Sequence, residues 1–145
     1  MKRVLFVAFL SLSTFLSAQE LPTAFKSAIK NNDASALEKE LTSENKDKCY
    51  SVSNSDYTLL ALAVKTKAKS CLNALIAEKV DLEKSCTGKT PLMYAAKYGN
   101  LDAAKTLIKA GAKLGTTNEK GRNALDYAVK YEQAELVAYF RSFLK

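Results

Sequence analysis

The chain has 145 residues, 22 Lys and Arg against 15 Asp and Glu, a formal charge of +7, and no His or Trp. That length allows one domain or one short array of repeats, and 48% hydrophobic with 26% charged residues is globular rather than disordered. The absence of His excludes Ser-His-Asp triads, Cys-His dyads and His-containing zinc sites, and three cysteines cannot build a Cys₄ site.

Lys2 and Arg3 precede an apolar run from Val4 to Leu16, followed by the small residues Ser17 and Ala18. This order of basic, apolar and small residues is that of a secretory signal peptide, expected at residues 1–18 with cleavage after Ala18. Leu16, at the third place before the cut, departs from the usual small residue. As a membrane span the run is too short, because a helix needs ~20 apolar residues to cross the hydrocarbon. No stable span is therefore expected after cleavage, and the mature protein is expected to be periplasmic or secreted. Loss of Lys2 and Arg3 lowers the formal charge to +5.

The remainder, 19–145, is organised by self-similarity. Gly88, Leu92, Tyr94 and Ala95 recur 33 residues later as Gly121, Leu125, Tyr127 and Ala128. Shifting back by 32 places Thr58, Leu60, Ala63 and Val64 on the same template, and a further 35 reaches Thr23, Phe25, Ala28 and Ile29. Such a period denotes stacked units that bury apolar faces only against one another. The units fall at about 21–52, 53–84, 85–117 and 118–145, with helix pairs expected at about 23–41, 58–79, 90–110 and 123–144.

The third unit shows the local logic. Thr90 is a helix N-cap and Pro91 a first-turn residue whose missing N–H costs nothing there. Leu92, Ala95 and Ala96 follow at helical spacing, and Gly99 and Gly111 suit left-handed helix ends. In the fourth unit Asn123 replaces the Thr cap, and Asp126 adds negative charge to the first turn. Lys67 and Lys79 stand where glycine would end the helices of unit two, which marks that unit as the weakest. Unit one begins at Thr23 with no turn before it, and Tyr139, Phe140, Phe143 and Leu144 are expected to close the last helix over the core. Buried positions are expected at Leu60, Ala63, Leu75, Ile76, Leu92, Ala95, Ala96, Leu107, Ile108, Leu125, Ala128, Val137 and Phe140.

With Thr90-Pro91-Leu92, Ala95-Ala96, Gly99 and Leu107-Ile108 through Gly111-Ala112, the third unit resembles the ankyrin repeat. The resemblance covers roughly Leu21 to Leu144. It implies an all-α, ankyrin-type solenoid of about four helix-turn-helix repeats behind the signal peptide. Met93, Ala61 and Asp126 replace the family's usual His, removing a hydrogen bond that commonly ties neighbouring turns. By the family's geometry Cys49 and Cys86 lie on adjacent turns and Cys71 at the opposite end of the helix pair. Two states stay open: a Cys49–Cys86 disulfide with one thiol over, or three unpaired thiols.

No phosphate-cradling loop, dinucleotide fingerprint or useful carboxylate pair occurs. No enzymatic activity, cofactor or metal is expected. The most functional-looking feature is a ladder, Lys30, Lys65, Lys97 and Lys130, followed in each case by Asn31, Thr66, Tyr98 and Tyr131. The resemblance places this edge beside a concave recognition surface, with Tyr57, Lys89, Lys120 and Arg122 at turn tips and Tyr94 and Tyr127 facing outward. The expected partner-binding residues are Tyr57, Lys65, Lys89, Tyr94, Lys97, Tyr98, Arg122, Tyr127, Lys130 and Tyr131. A plainer alternative is that lysine suits the C-terminal end of any solvated helix. The expected function is a monomeric, exported protein-interaction module gripping an acidic protein partner. Alternatives are an inhibitor or immunity protein against an exported toxin or enzyme, and a binder of polyanions or envelope surfaces; export disfavours nucleic acid.

Overall fold

A computed structural model describes residues 18–145. The expected signal sequence falls, apart from Ala18, outside the described residues. Among the described residues, eight α-helices form four consecutive pairs: α1 (Thr23–Lys30) with α2 (Ala34–Glu40), α3 (Leu59–Lys65) with α4 (Lys69–Ala77), α5 (Pro91–Tyr98) with α6 (Leu101–Ala110), and α7 (Ala124–Lys130) with α8 (Ala134–Arg141). First helices pack against first helices along the stack, and second helices against second helices. Two rows result, with the core between them.

Local chemistry sets the helix ends. The Thr58 and Thr90 hydroxyls accept from the Ala61 and Met93 N–H groups at 3.1 and 3.3 Å. Asn123 and Asp126 form a reciprocal capping box, stronger than a favourable first-turn charge alone. Gly99 and Gly111 end α5 and α6 in the left-handed region, as their sequence positions indicate. A side chain at Gly99 would also strike Gln133, whose amide reaches back toward the Lys97 carbonyl.

Lys67 and Lys79 do not remodel their helix ends; both enter the left-handed region, at φ 58° and 55°. A left-handed non-glycine residue costs roughly 1–2 kcal/mol, and glycine returns about half of that as extra chain entropy. The double substitution Lys67→Gly and Lys79→Gly is therefore expected to raise stability by about 1 kcal/mol. Urea unfolding would show a higher midpoint at unchanged slope.

The fold is not wholly helical, which corrects the all-α expectation. β2 (Tyr50–Val52) and β3 (Ser55–Tyr57) form an antiparallel hairpin, and β1 (Gln19–Glu20) adds parallel to β2. Ser53 and Asn54 both have positive φ, which suits the right-handed twist of a two-residue hairpin turn. Unit one is thus preceded by the short strand β1. Alternation sends Tyr50 and Tyr57 into the core while the Ser51 hydroxyl donates to Asp56.

Nine of the thirteen expected core positions are buried, Leu75, Ala95, Ala96, Leu107, Ala128 and Phe140 completely so. Ile76, Ile108, Leu125 and Val137 are only partly buried, because they flank the core rather than point into it. Phe143 and Leu144 do not close the core. They lie in a terminal 3-10 turn, Ser142–Leu144, at 51% and 66% exposure, with Phe143 edge-on to Tyr139.

Polar side chains also tie the units together. The Asn32 amide oxygen of unit one accepts from the Ser70 and Cys71 N–H groups at 2.8 and 3.2 Å. It thereby caps α4, whose own N-cap, Ala68, has no side-chain acceptor. Asn100 caps α6 and also donates to the Val64 carbonyl at the end of α3.

Candidate functional site: a lysine and tyrosine ladder

The ends of α3, α5 and α7 bring Lys65, Lys97 and Lys130 to one edge of the stack, because each lies in the last turn of its helix. Tyrosine rings separate the ammonium groups. Lys65 Nζ lies 5.8 Å and Lys97 Nζ 5.3 Å from the centre of the Tyr98 ring. Lys97 and Lys130 Nζ each lie 5.6 Å from the centre of the Tyr131 ring. The aromatic faces attract the cations and hold these long side chains along one line. Lys30 is exposed at the end of α1, and no tyrosine follows it in sequence.

Opposite the helix ends stand the turn tips. A cleft of about 500 Å³ between units three and four is lined by Lys97, Lys130 and Tyr131 on one side and by Lys89, Lys120 and Arg122 on the other. Five basic residues and a single acidic one, Glu119, line it. The cleft is open and strongly positive, with no nucleophile–base pair among its lining residues.

The tyrosines divide into two groups. Tyr57, Tyr94 and Tyr127 are buried, at 6%, 4% and 6% exposure, so they do not face outward as partner anchors. Each hydroxyl is satisfied inside the stack. Lys65 Nζ donates to Tyr57 Oη at 2.8 Å, Asn118 Nδ2 to Tyr127 Oη at 3.0 Å, and Tyr94 Oη shares a hydrogen bond with Thr87 Oγ1 at 3.1 Å. Tyr94 also packs on Tyr57 of the preceding unit, ring centres 5.4 Å apart. These rings join helix to turn, the role left open by the missing His; Met93, at one of those positions, is buried. Tyr98 is half-buried and Tyr131 exposed, stacked nearly parallel on Tyr94 and Tyr127. Arg122, Lys130 and Tyr131 are therefore the exposed members of the expected set, and Lys65, Lys89, Lys97 and Tyr98 are partly covered.

Burial alone would raise the Tyr57 pKa, but the hydrogen bond and charge of Lys65 bring it below its ordinary value. The same hydrogen bond raises Lys65 against the cost of its own burial, so its charge is firmly kept. Burial raises Tyr94, consistent with a structural hydroxyl.

At the hairpin end of the stack the structure joins Cys49 and Cys86, Cα atoms 5.8 Å apart. Cys49 directly precedes β2, and the bond links the hairpin to the turn leading into unit three. Cys71 is a buried free thiol donating to the Ala28 carbonyl; burial, then the Asp33 charge, pushes its pKa up, away from reactivity. Among the described residues no group of His, Cys, Asp and Glu could hold a metal, and no helix is long and apolar enough to cross a membrane.

Comparison with known proteins agrees with this architecture. The family model described as ankyrin repeats (three copies) matches residues 25–118 and 78–142. A Rickettsia bellii protein named as an ankyrin repeat protein is 40% identical over 73 residues, 50% of this chain and 44% of that protein. A Caenorhabditis elegans homolog of transient receptor potential cation channel subfamily A member 1 is 50% identical over 42 residues, 29% of this chain and 4% of that protein. The chain thus spans less than half the length of either relative. Helix pairs, turns and matched residues coincide: the chain belongs to the ankyrin repeat family.

Proposed function

We propose that this protein is an exported, non-enzymatic interaction module that binds an acidic protein partner through the concave edge of units two to four. The family supports protein binding as the general role. The basic cleft beside the lysine and tyrosine ladder is the observation that carries the assignment to this face. Export rests on the n-region, apolar run and Ala18, and fits a chain in which Cys49 and Cys86 meet. The domain proper is residues 19–145, and it acts as a monomer.

Exposed charges act mainly on association, and buried aromatic contacts on dissociation. Charge reversal at Lys97 and Lys130 is expected to slow association several-fold and flatten its salt dependence. Tyr131→Ala is expected to speed dissociation, by about 2 kcal/mol if the ring is a hot spot. Lys109→Glu, on the exposed flank of α6, should do little. Surface plasmon resonance with a partner purified from the envelope fraction measures all three. Loss of binding in Lys109→Glu with silent Lys97, Lys130 and Tyr131 variants would move the site to the other row of helices.

A further inference from the structure

We propose that Gln19 is a modification site: once the leader is removed, its α-amine and its own side-chain amide close into an N-terminal pyroglutamyl ring. This rests on the export reading above, with cleavage after Ala18, and adds the chemical state of the new chain end.

Cleavage at that bond leaves glutamine as the first residue, with Glu20, Leu21 and Pro22 behind it. A glutamine amide stands at the right reach to form a five-membered ring with the amine of its own residue. The neutral amine attacks Cδ and the N–Cδ bond forms. The Cδ–Nε2 bond breaks, and a proton from the amine leaves with Nε2 as ammonia. No oxidant, reductant or second substrate is consumed. An α-amine titrates near 7.7–8.0, so roughly a tenth of it is in the attacking form at neutral pH. Both reacting groups belong to one residue, so no bimolecular encounter is needed.

The fold accepts a chain that starts at this residue. Gln19 is the first residue of β1, and both residues of that strand are exposed. The Ser51 hydroxyl lies 3.3 Å from the Ala18 carbonyl, which the cut removes, but only 2.6 Å from Asp56, which stays. The fold accepts the ring as well. β1 is an edge of the three-stranded sheet, paired in parallel through Gln19 with Tyr50 and Glu20 with Ser51. Sheets admit proline on an edge strand or at a strand's first residue. A pyroglutamyl ring is milder there than proline, because it keeps one N–H beside its backbone carbonyl.

Ring closure decides whether β1 survives. Aminopeptidases grip a free α-amine, and the ring removes it. An open end would lose Gln19 and Glu20 and stop at Leu21, because the bond to Pro22 is a tertiary amide that such enzymes do not cut. Those two residues are the whole of β1. The ring therefore keeps the third strand on the hairpin.

The test expresses the full chain with its own leader in a Gram-negative host and weighs the exported protein intact, before any digestion. The sample is held at neutral pH and physiological temperature until a synthetic peptide of residues 19–26 has closed completely. The expected mass is that of residues 19–145 with one disulfide, less one ammonia, and Edman degradation is blocked until pyroglutamyl peptidase is added. Gln19→Ala, exported in the same way, is expected to stay open and to be cut back to Leu21 by a broad aminopeptidase. The wild-type protein should keep residue 19 under the same digestion. A start at residue 19 with the ammonia retained overturns the ring and leaves the cleavage reading in place. Any other first residue overturns the cleavage reading, and the proposal with it. Equal trimming, or equal resistance, of the wild-type and Gln19→Ala proteins overturns the protection of β1 by the ring.

Discussion

Replacing Cys49 and Cys86 together by serine is expected to lower the unfolding free energy by about 4 kcal/mol, the loop-closure value for a bond spanning 37 residues. For a domain of this size that corresponds to a melting temperature lower by roughly 10–15 °C. The cost falls on one place, because the bond ties the β2–β3 hairpin to the turn that opens unit three. Tyr50, buried behind the hairpin and packed on Phe25, should lose protection first. Calorimetry of the oxidised protein with and without reductant reads the same effect without mutation. Thiol titration after denaturation should find one reactive group, Cys71, in oxidised protein. Three reactive groups would contradict the pairing.

Leu107→Ala should produce a loss of similar size at the other row of helices. The side chain is fully buried on α6, in the core between the two rows. Deleting three methyl-sized groups from such a position costs about 2–5 kcal/mol, the spread reflecting how far the neighbours can collapse. The alanines one turn before it, Ala103 and Ala104, and Ala112, whose N–H donates to the Leu107 carbonyl, are all buried, and they have little side chain with which to refill the space. The upper half of the range is therefore expected. Phe143→Ala provides the contrast: its ring is half exposed, and chemical denaturation should show a change below about 0.5 kcal/mol.

The helix pairs were legible because their signals are local. Thr90 with Pro91 opens a helix wherever it occurs in such a pattern, and Gly99 and Gly111 close helices by backbone freedom alone. Lys67 and Lys79 read as weak points for the same reason, and the structure places both in the strained region. The hairpin was not legible, since each strand has only three residues and β1 reaches β2 across all of unit one. Nor does any local rule show that Asn32 caps a helix in the next unit.

The site was half legible. Repeat phase alone aligned Lys65, Lys97 and Lys130. The fate of Tyr57, Tyr94 and Tyr127 depended on neighbours distant from their own helices or strands: Thr87, Asn118, the ring of an adjacent unit, and the end of α3. A helix wheel places Tyr94 and Tyr127 outward. Only the turn folded over each ring makes it part of the core, and Tyr98 and Tyr131 then become the accessible aromatic surface.

Amide hydrogen exchange of the mature protein, with and without a partner captured from the envelope fraction, tests the concave-edge assignment most directly. The account predicts slowed exchange on binding at 97–100, 118–123 and 130–133, where the helix ends and turn tips frame the basic cleft. Exchange across 105–109 and 137–141, on the second-helix row, should be unchanged. Protection confined to that second row, with residues 97–100 and 130–133 exchanging as in the free protein, would contradict it.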